Sequence, residues 1–315
     1  MSNDLKTFTK IRVVWNITNS CPFNCPLCVA SANKRKESNI NKDKILESLL
    51  SIPKEKLTID FSGGDPLFRK GNINIVKRAS KILGKDNISI SSTGLSISNL
   101  SDEELISLSS NYDMTYDFPK KYSNKDIRDE RYNKINYEQC KRLIKLGLNV
   151  DIFIPIRNID FKYYDELAKD LCEINPKSIS LLKCMPLNES FNTKDIDSVK
   201  NANYLKNRLK EYGYTNKIII NCALSEDYKY KNKCNMLTER KIGLDQFGDL
   251  YSCIWAADIL TDKKKNPFYI GNVLEKSLID LLNGRRIKSL LKKYNNRDIC
   301  HVLDYYYKNN NKKRA

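Results

Sequence analysis

Residues 11–28 read IRVVWNITNSCPFNCPLC, and the reading of this stretch decides how the rest of the chain is interpreted. Residues 11–17 are rich in β-branched side chains and predict a strand that runs out into a loop. The loop carries Cys21, Cys25 and Cys28. Three thiolates on one loop can each hold one iron of a [4Fe–4S] cube, which leaves the fourth iron open to chelate a small molecule. A structural zinc site needs a fourth ligand close by, and the next Cys or His along the chain is Cys140. A closed cluster would need a fourth cysteine as well.

Outward from this stretch, strand-like and helix-like segments alternate. Further strands are predicted at 57–61, 88–91, 114–118, 150–156 and 179–182, from β-branched enrichment. Amphipathic stretches of helical period lie between and after them, at 42–52, 73–83, 103–109, 137–146 and 163–173. Six β-then-α units predict an α/β fold, a partial (β/α)6 parallel barrel closed by right-handed crossovers. Chemistry in such barrels sits at the C-terminal ends of the strands. After a helix at 196–212 the rhythm changes. A strand is predicted at 217–222, a hairpin from 242–245 and 250–253, and a last helix at 278–294 before Cys300. The expected division is a barrel over 1–213, a small α+β unit over 214–304, and a frayed basic tail over 305–315.

The formal charge is +17, from 55 Lys and Arg against 38 Asp and Glu, which should attract polyanions or an acidic peptide. The lysines are scattered, and neither an RRM-type aromatic motif nor paired Cys/His fingers is present, so nucleic acid is not the favoured partner. No apolar run approaches the roughly 20 residues of a membrane span. Residues 1–10 lack the apolar core of a signal peptide, so a cytoplasmic, membrane-free protein is expected. In a reducing compartment its ten cysteines read as metal ligands or reactive thiols rather than disulfides.

The cysteine triplet resembles that of the radical SAM superfamily, and the resemblance extends beyond it. Ser62-Gly63-Gly64-Asp65-Pro66, after the second predicted strand, is similar to the family's GGEP motif, whose backbone binds the amino group of S-adenosylmethionine (SAM). Glycines suit that task because their backbone can approach a ligand closely. Ser91-Ser92-Thr93-Gly94 resembles the segment that contacts the SAM ribose and carboxylate, and Asp117 matches an acidic position of the fourth strand. Leu27 stands where an aromatic residue is usual, and Asp65 replaces Glu. The resemblance implies that SAM contacts Leu27, Ser62, Gly63, Gly64, Asp65, Pro66, Ser91, Ser92, Thr93 and Asp117. It also implies reductive cleavage of SAM to a 5′-deoxyadenosyl radical, with electrons from a donor such as flavodoxin or ferredoxin.

Four cysteines lie in the C-terminal region: Cys222, Cys234, Cys253 and Cys300. Cys234 is followed by thirteen residues, Gly248, four residues and Cys253, which resembles the signature of twitch and SPASM domains. No tight CxxC group is present, so one auxiliary [4Fe–4S] cluster is the ceiling, a twitch domain. Cys234, Cys253 and Cys300 are its expected ligands; the opposing reading is that these are unrelated buried thiols. Cys222 is a fourth ligand or a free thiol near the cavity. Cys184, after the sixth strand, is a second candidate thiol. Cys140 and Cys172 read as core residues on helices, and His301, the sole histidine, as an ordinary surface residue.

Size and cysteine layout are similar to peptide epimerases of the epipeptide class, which convert L-residues of a ribosomal precursor peptide to D. A peptide Cα radical is stabilised by its flanking amides, and inversion requires a hydrogen donor on the face opposite SAM. A cysteine S–H meets that need, Cys222 first and Cys184 second. With the triplet starting at residue 21, the barrel and twitch units themselves are expected to grip the peptide. The alternative is a dehydrogenase that oxidises an alcohol or a side chain through the auxiliary cluster. A third reading, resting on charge alone, is a non-catalytic iron–sulfur protein that binds nucleic acid.

Overall fold

The computed structural model describes residues 10–26, 28–123, 127–185, 197–227, 229, 234, 241–260, 262–294 and 298–311. Six parallel strands follow one another: β1 (Ile11–Thr18), β2 (Leu57–Gly63), β3 (Ile88–Ser91), β4 (Asn111–Thr115), β5 (Asn149–Ile156) and β6 (Ser178–Lys183). Helices connect them: α1 (Lys42–Leu49), α2 (Lys70–Leu83), α3 (Gly94–Ser98), α4 (Asp102–Leu108), α5 (Tyr132–Lys145), α6 (Phe161–Ile174) and, after β6, α7 (Ser198–Glu211). This is the expected α/β architecture of a parallel-stranded partial barrel.

Side-chain alternation explains the layering. On β1, Ile11, Val13, Trp15 and Ile17 are at most 1% exposed and belong to the main core. Arg12 and Val14, offset by one residue, line an internal cavity instead. The same division holds on β2, where Leu57, Ile59 and Phe61 are in the core while Asp60 and Ser62 line the cavity. Trp15 and Phe61 pack with ring centroids 5.5 Å apart. Burying side chains of this size contributes about 1.5–3 kcal/mol each, which fixes the strand register.

Beyond the barrel, β7 (Lys217–Ile220) pairs in parallel with β6 and extends the sheet. The short helix α8 (Cys222–Asp227) follows it. Strand β8 (Lys241–Leu244) then pairs in parallel with the other edge of β1. Strands β9 (Asp249–Tyr251) and β10 (Tyr269–Asn272) add on antiparallel, so one sheet runs β10-β9-β8-β1-β2-β3-β4-β5-β6-β7. Helices α9 (Ile254–Ile259), α10 (Leu278–Asn283), α11 (Arg285–Lys293) and α12 (His301–Asn311) complete the chain. Among the described residues, no helix is long and apolar enough to cross a membrane.

Several boundaries differ from the sequence reading. The fourth strand lies at Asn111–Thr115 rather than 114–118: Ser109 Oγ donates to the Ile88 carbonyl and accepts from Asn111 N, which starts the strand early. The helix expected over 278–294 is broken at Gly284, which closes α10 through its N–H to Leu281 O and opens α11 with extended dihedrals. The tail is helical as far as Asn311, with Val302 and Leu303 buried and Tyr305 packed edge-on against Phe268. The 242–253 hairpin forms as expected, held by Asp245 Oδ1, which accepts from the N–H groups of Phe247 and Asp249.

Gly243 lets α9 press onto β8: a Cβ there would lie 2.4 Å from Ile254 Cα. Gly243→Ala should therefore destabilise the protein by about 1–3 kcal/mol in urea unfolding. Gly71, in the first turn of α2, has nothing within 4 Å of its missing Cβ. Gly71→Ala should stabilise by up to about 1 kcal/mol through the unfolded chain.

Candidate active site

Eight of the ten cysteines line a single cavity of about 420 Å³ within the barrel: Cys21, Cys25, Cys28, Cys184, Cys222, Cys234, Cys253 and Cys300. Of the other two, Cys140 is buried in the core on α5, and Cys172 on α6 packs against that core with its Sγ 3.8 Å from Leu209 O. Both stand away from the cavity, as their helical positions implied.

The cysteine loop leaves β1 and is shaped by backbone capture. Asn33 Oδ1 accepts from Cys21 N at 3.0 Å, and its Nδ2 donates to the carbonyls of Cys21 and Phe23 at 2.9 and 3.1 Å. Asn33 itself has φ 62°, a conformation asparagine tolerates better than most residues. Phe23 packs edge-on against Tyr132, centroids 5.1 Å apart, with Cys25 in the same small cluster. Burial pushes the Cys21 thiol up to about 12 and raises Cys28 as well. Two groups favour a Cys28 thiolate: Ala32 N–H, which donates to its sulfur at 3.4 Å, and the Arg128 guanidinium.

This donor set fits a [4Fe–4S] cluster. Three soft sulfur ligands on one loop face a common space, with a cation and a backbone N–H placed to support negative sulfur. Among the described residues, no three Cys, His, Asp or Glu side chains converge to hold a metal ion. Each ligand of a cube binds a different iron, so that convergence is not what a cluster requires.

Of the residues expected to contact SAM, Ser62, Gly63, Gly64, Ser91, Ser92 and Thr93 line the cavity. Leu27 lies outside the described residues. Asp65, Pro66 and Asp117 are buried behind the cavity wall rather than on it. Asp65 Oδ1 accepts from Ser92 Oγ at 2.7 Å and Leu67 N at 2.9 Å, while Oδ2 accepts from Thr93 N at 2.9 Å and Thr93 Oγ1 at 2.6 Å. Its place in the motif is thus to join the end of β2 to the end of β3. Asp117 is held by Arg128 at 2.8 Å and Arg157 at 3.8 Å. Burial would raise its carboxyl, and these guanidiniums bring it below its ordinary value.

The two glycines also have a local reason. A Cβ on Gly63 would lie 2.4 Å from Thr18 O, and one on Gly64 2.4 Å from Ser20 O. The chain passes this closely because Gly64 N donates to Thr18 O and Asp65 N to Ser20 O, at 2.7 and 2.8 Å. The close approach is therefore to the stem of the cysteine loop.

The second cysteine group gathers on the same cavity. Burial pushes the Cys253 thiol up to about 12, and the sulfurs of Cys222 and Cys234 raise it further. Cys300 is raised well above its ordinary value by burial, with Cys222, Cys253 and Cys234 adding. All four line the one cavity. Cys222 heads α8, its S–H donating to Asn221 Oδ1 at 3.6 Å. Cys184 is buried, its thiol also pushed up to about 12 by burial, in the field of Arg157, Asp117 and Arg128.

His301 is not a surface residue: it is 8% exposed, lines the cavity, and packs on Tyr294 with centroids 4.9 Å apart. Other cavity residues escaped the sequence reading. Arg128 comes from a β4–α5 connection without a pattern to mark it and Tyr132 from the first position of α5, the guanidinium 4.8 Å from the ring centroid. Arg12, Asp60 and Asp113 form a charged floor, with Arg12 Nε 2.5 Å from Asp60 Oδ2. Period-two alternation on β1 and β2 was the signal that could have found Arg12 and Asp60, while Asp113 lay outside the strand expected at 114–118.

Burial, then the charges of Asp60 and Asp151, push Asp113 up to about 7, against the opposing effect of Arg12. In the unfolded chain its carboxyl titrates near an ordinary value of about 3.9. The native state thus binds more protons between these values, and stability falls as pH rises through that window. Asp113→Asn should flatten the decline seen on comparing urea unfolding at about pH 5 and pH 7. Asp245 and Asp258, also pushed to about 7 by burial, would keep the remaining slope.

Comparison with known proteins agrees with this geometry. Residues 15–174 match the radical SAM superfamily, just over half of the chain. A curated relative, the S-adenosylmethionine-dependent nucleotide dehydratase of Fibrobacter sp. (strain UWH6), is 27% identical over 218 residues, covering 64% of this chain and 62% of its own length. The chain therefore spans less than two thirds of that relative. Among solved structures, Streptococcus suis SuiB bound to precursor peptide SuiA has a TM-score of 0.71 at 15% identity, covering 92% of this chain and 69% of its own. Native anSMEcpe with bound AdoMet has a TM-score of 0.65 at 15% identity, covering 90% and 83%. The chain belongs to the radical SAM superfamily, whose enzymes work with a [4Fe–4S] cluster and SAM.

Proposed function

We propose that this enzyme epimerises L-residues of a ribosomally made peptide to D, with a cysteine thiol of the cavity as the hydrogen donor. The carrying observation is that Cys222, outside both core ligand sets, lines the same cavity as Cys21, Cys25 and Cys28. Bound at the triplet, the cluster and SAM supply a 5′-deoxyadenosyl radical that removes hydrogen from carbon. Peptide as the substrate class is supported by two proteins of the same fold solved with peptides: SuiB with SuiA, and anSMEcpe with a Cp18Cys peptide.

The chain's own residues have three tasks in this reading. Ser62, Gly63, Gly64 and Ser91 to Thr93 form the wall on which SAM would rest. Apolar residues such as Val14, Phe153, Leu182, Ile242 and Trp255 keep water from a carbon radical. Cys222 transfers the hydrogen atom of its S–H to the substrate radical from the opposite face, and Cys184 is the second candidate. The resulting thiyl takes up one electron from an external low-potential donor and one proton to become a thiol again. Cys234, Cys253 and Cys300 would hold the auxiliary cluster.

A dehydrogenase is the second reading, favoured by Cys222 lining one cavity with Cys234, Cys253 and Cys300. As fourth ligand of an auxiliary cluster, Cys222 would close a route for a substrate electron. One experiment separates the two. After turnover in D₂O, epimerisation adds about one mass unit to the peptide, whereas dehydrogenation removes about two. Cys222→Ala should abolish the D-product while 5′-deoxyadenosine is still released. Retained epimerisation in that variant would assign the donor to Cys184.

A further inference from the structure

The segment after the cysteine loop, residues 33–38, is gripped from two sides. On one side it builds the loop. Asn33 holds Cys21 and Phe23, and its N–H donates to Asn19 O at 2.8 Å. Glu37 accepts from Thr18 Oγ1 at 2.9 Å and from Asn19 N at 2.8 Å, with Lys42 Nζ 3.2 Å away. On the other side the same six residues are held by the C-terminal region, more than two hundred positions later in the chain. Gln246, 3% exposed in the β8–β9 turn, accepts from Ser38 N at 2.8 Å and donates to Lys36 O at 3.1 Å. Arg35 donates to Asp258 O at 2.6 Å, and Asp258 Oδ1 accepts from Asn16 Nδ2 on β1 at 2.8 Å.

The two gripping residues flank a cysteine of the second group. Gln246 lies at the near end of the hairpin whose far strand leads into Cys253; Cys253 is the N-cap of α9, and Asp258 sits on that helix. A continuous run of hydrogen bonds and short secondary elements thus joins Cys253 to the loop of Cys21, Cys25 and Cys28. We propose that Gln246, Asp258 and Arg35 are positioning residues of the SAM-cleaving centre, through which the segment carrying Cys253 sets the conformation of the first cysteine loop. The inference rests on the triplet as the cluster site; it adds that this site is incomplete without the C-terminal region.

The test uses the full chain with clusters reconstituted. Only a cluster with an open iron responds to SAM, so the electron paramagnetic resonance of the reduced enzyme, titrated with SAM, reads the first site selectively. Gln246→Ala and Arg35→Ala should displace the g-values and raise the half-saturating SAM concentration about tenfold, the effect of losing one or two buried or part-buried hydrogen bonds. Far-ultraviolet circular dichroism should remain that of the parent protein. Gln246→Glu, which keeps an oxygen facing Ser38 N–H, should recover part of the loss, and it decides the matter if the alanine variant does not fold. Parent-like g-values and SAM titrations in folded Arg35→Ala and Gln246 variants overturn the proposal. A parent enzyme whose reduced cluster ignores SAM overturns the reading of the triplet, and the proposal falls with it.

Discussion

Strand β1 is hydrogen-bonded along both edges, and the rest of the site depends on that. Its pairing with β2 runs from Ile11↔Leu57 to Thr18↔Gly63, and with β8 from Arg12↔Lys241 to Trp15↔Leu244. The loop that leaves its C-terminal end therefore emerges between two neighbours, the Gly63–Gly64 loop and the C-terminal hairpin. The bonds from Gly64 N to Thr18 O and from Asp65 N to Ser20 O carry the ladder past the end of the strand to the residue before Cys21. A loop with three cysteines has many conformations of its own, and fixing them costs about 1–2 kcal/mol of backbone entropy per residue. The two flanking neighbours offset that cost with bonds made away from the sulfurs, which leaves the sulfurs facing the cavity.

Buried charge is used in the same way. Asp65 is 0% exposed, yet both its oxygens are hydrogen-bonded, so its desolvation is compensated inside the wall. Asp117 is compensated by Arg128 and Arg157. Removing one partner from such a group leaves an unpaired buried charge, which is far costlier than the net worth of the pair. Asp65 and Asp117 thus hold strand ends in place from behind, while Ser62, Gly63, Gly64 and Ser91 to Thr93 turn hydroxyls and backbone to the cavity.

The fold was legible because its signals are local and repeated. β-Branched runs and amphipathic periods located the six barrel strands and most of their connecting helices, and Cys21, Cys25 and Cys28 marked the mouth. What escaped was non-local. Nothing near Lys217 announces that β7 pairs with β6, nor near Lys241 that β8 pairs with β1, since a parallel partner is chosen by the sheet as a whole. Arg128 lies in a connection with no periodicity, and its significance comes only from Asp117 and Tyr132. Asp65 was legible as a motif position but not in its role, because hydrogen-bond partners 27 and 28 residues away are invisible to spacing. The burial of His301 against Tyr294 left no trace in the sequence because a lone histidine carries no pattern.

Burial of the cavity thiols has two opposite consequences for chemistry. A hydrogen-atom donor must keep its S–H, and burial that pushes Cys184 up to about 12 keeps it protonated near neutrality. A cluster ligand must lose its proton, and the same burial pushes Cys21 and Cys28 in the wrong direction. Only iron can reverse that, since metal binding to thiols releases protons and draws its affinity from the deprotonated form. Loading a cluster into this cavity is therefore coupled to proton release from several buried sulfurs at once, and the Arg128 guanidinium and Ala32 N–H beside Cys28 lower part of that cost. A single cavity can in this way hold both kinds of cysteine. Those that meet iron become ligands, and a buried thiol out of reach of iron keeps its proton.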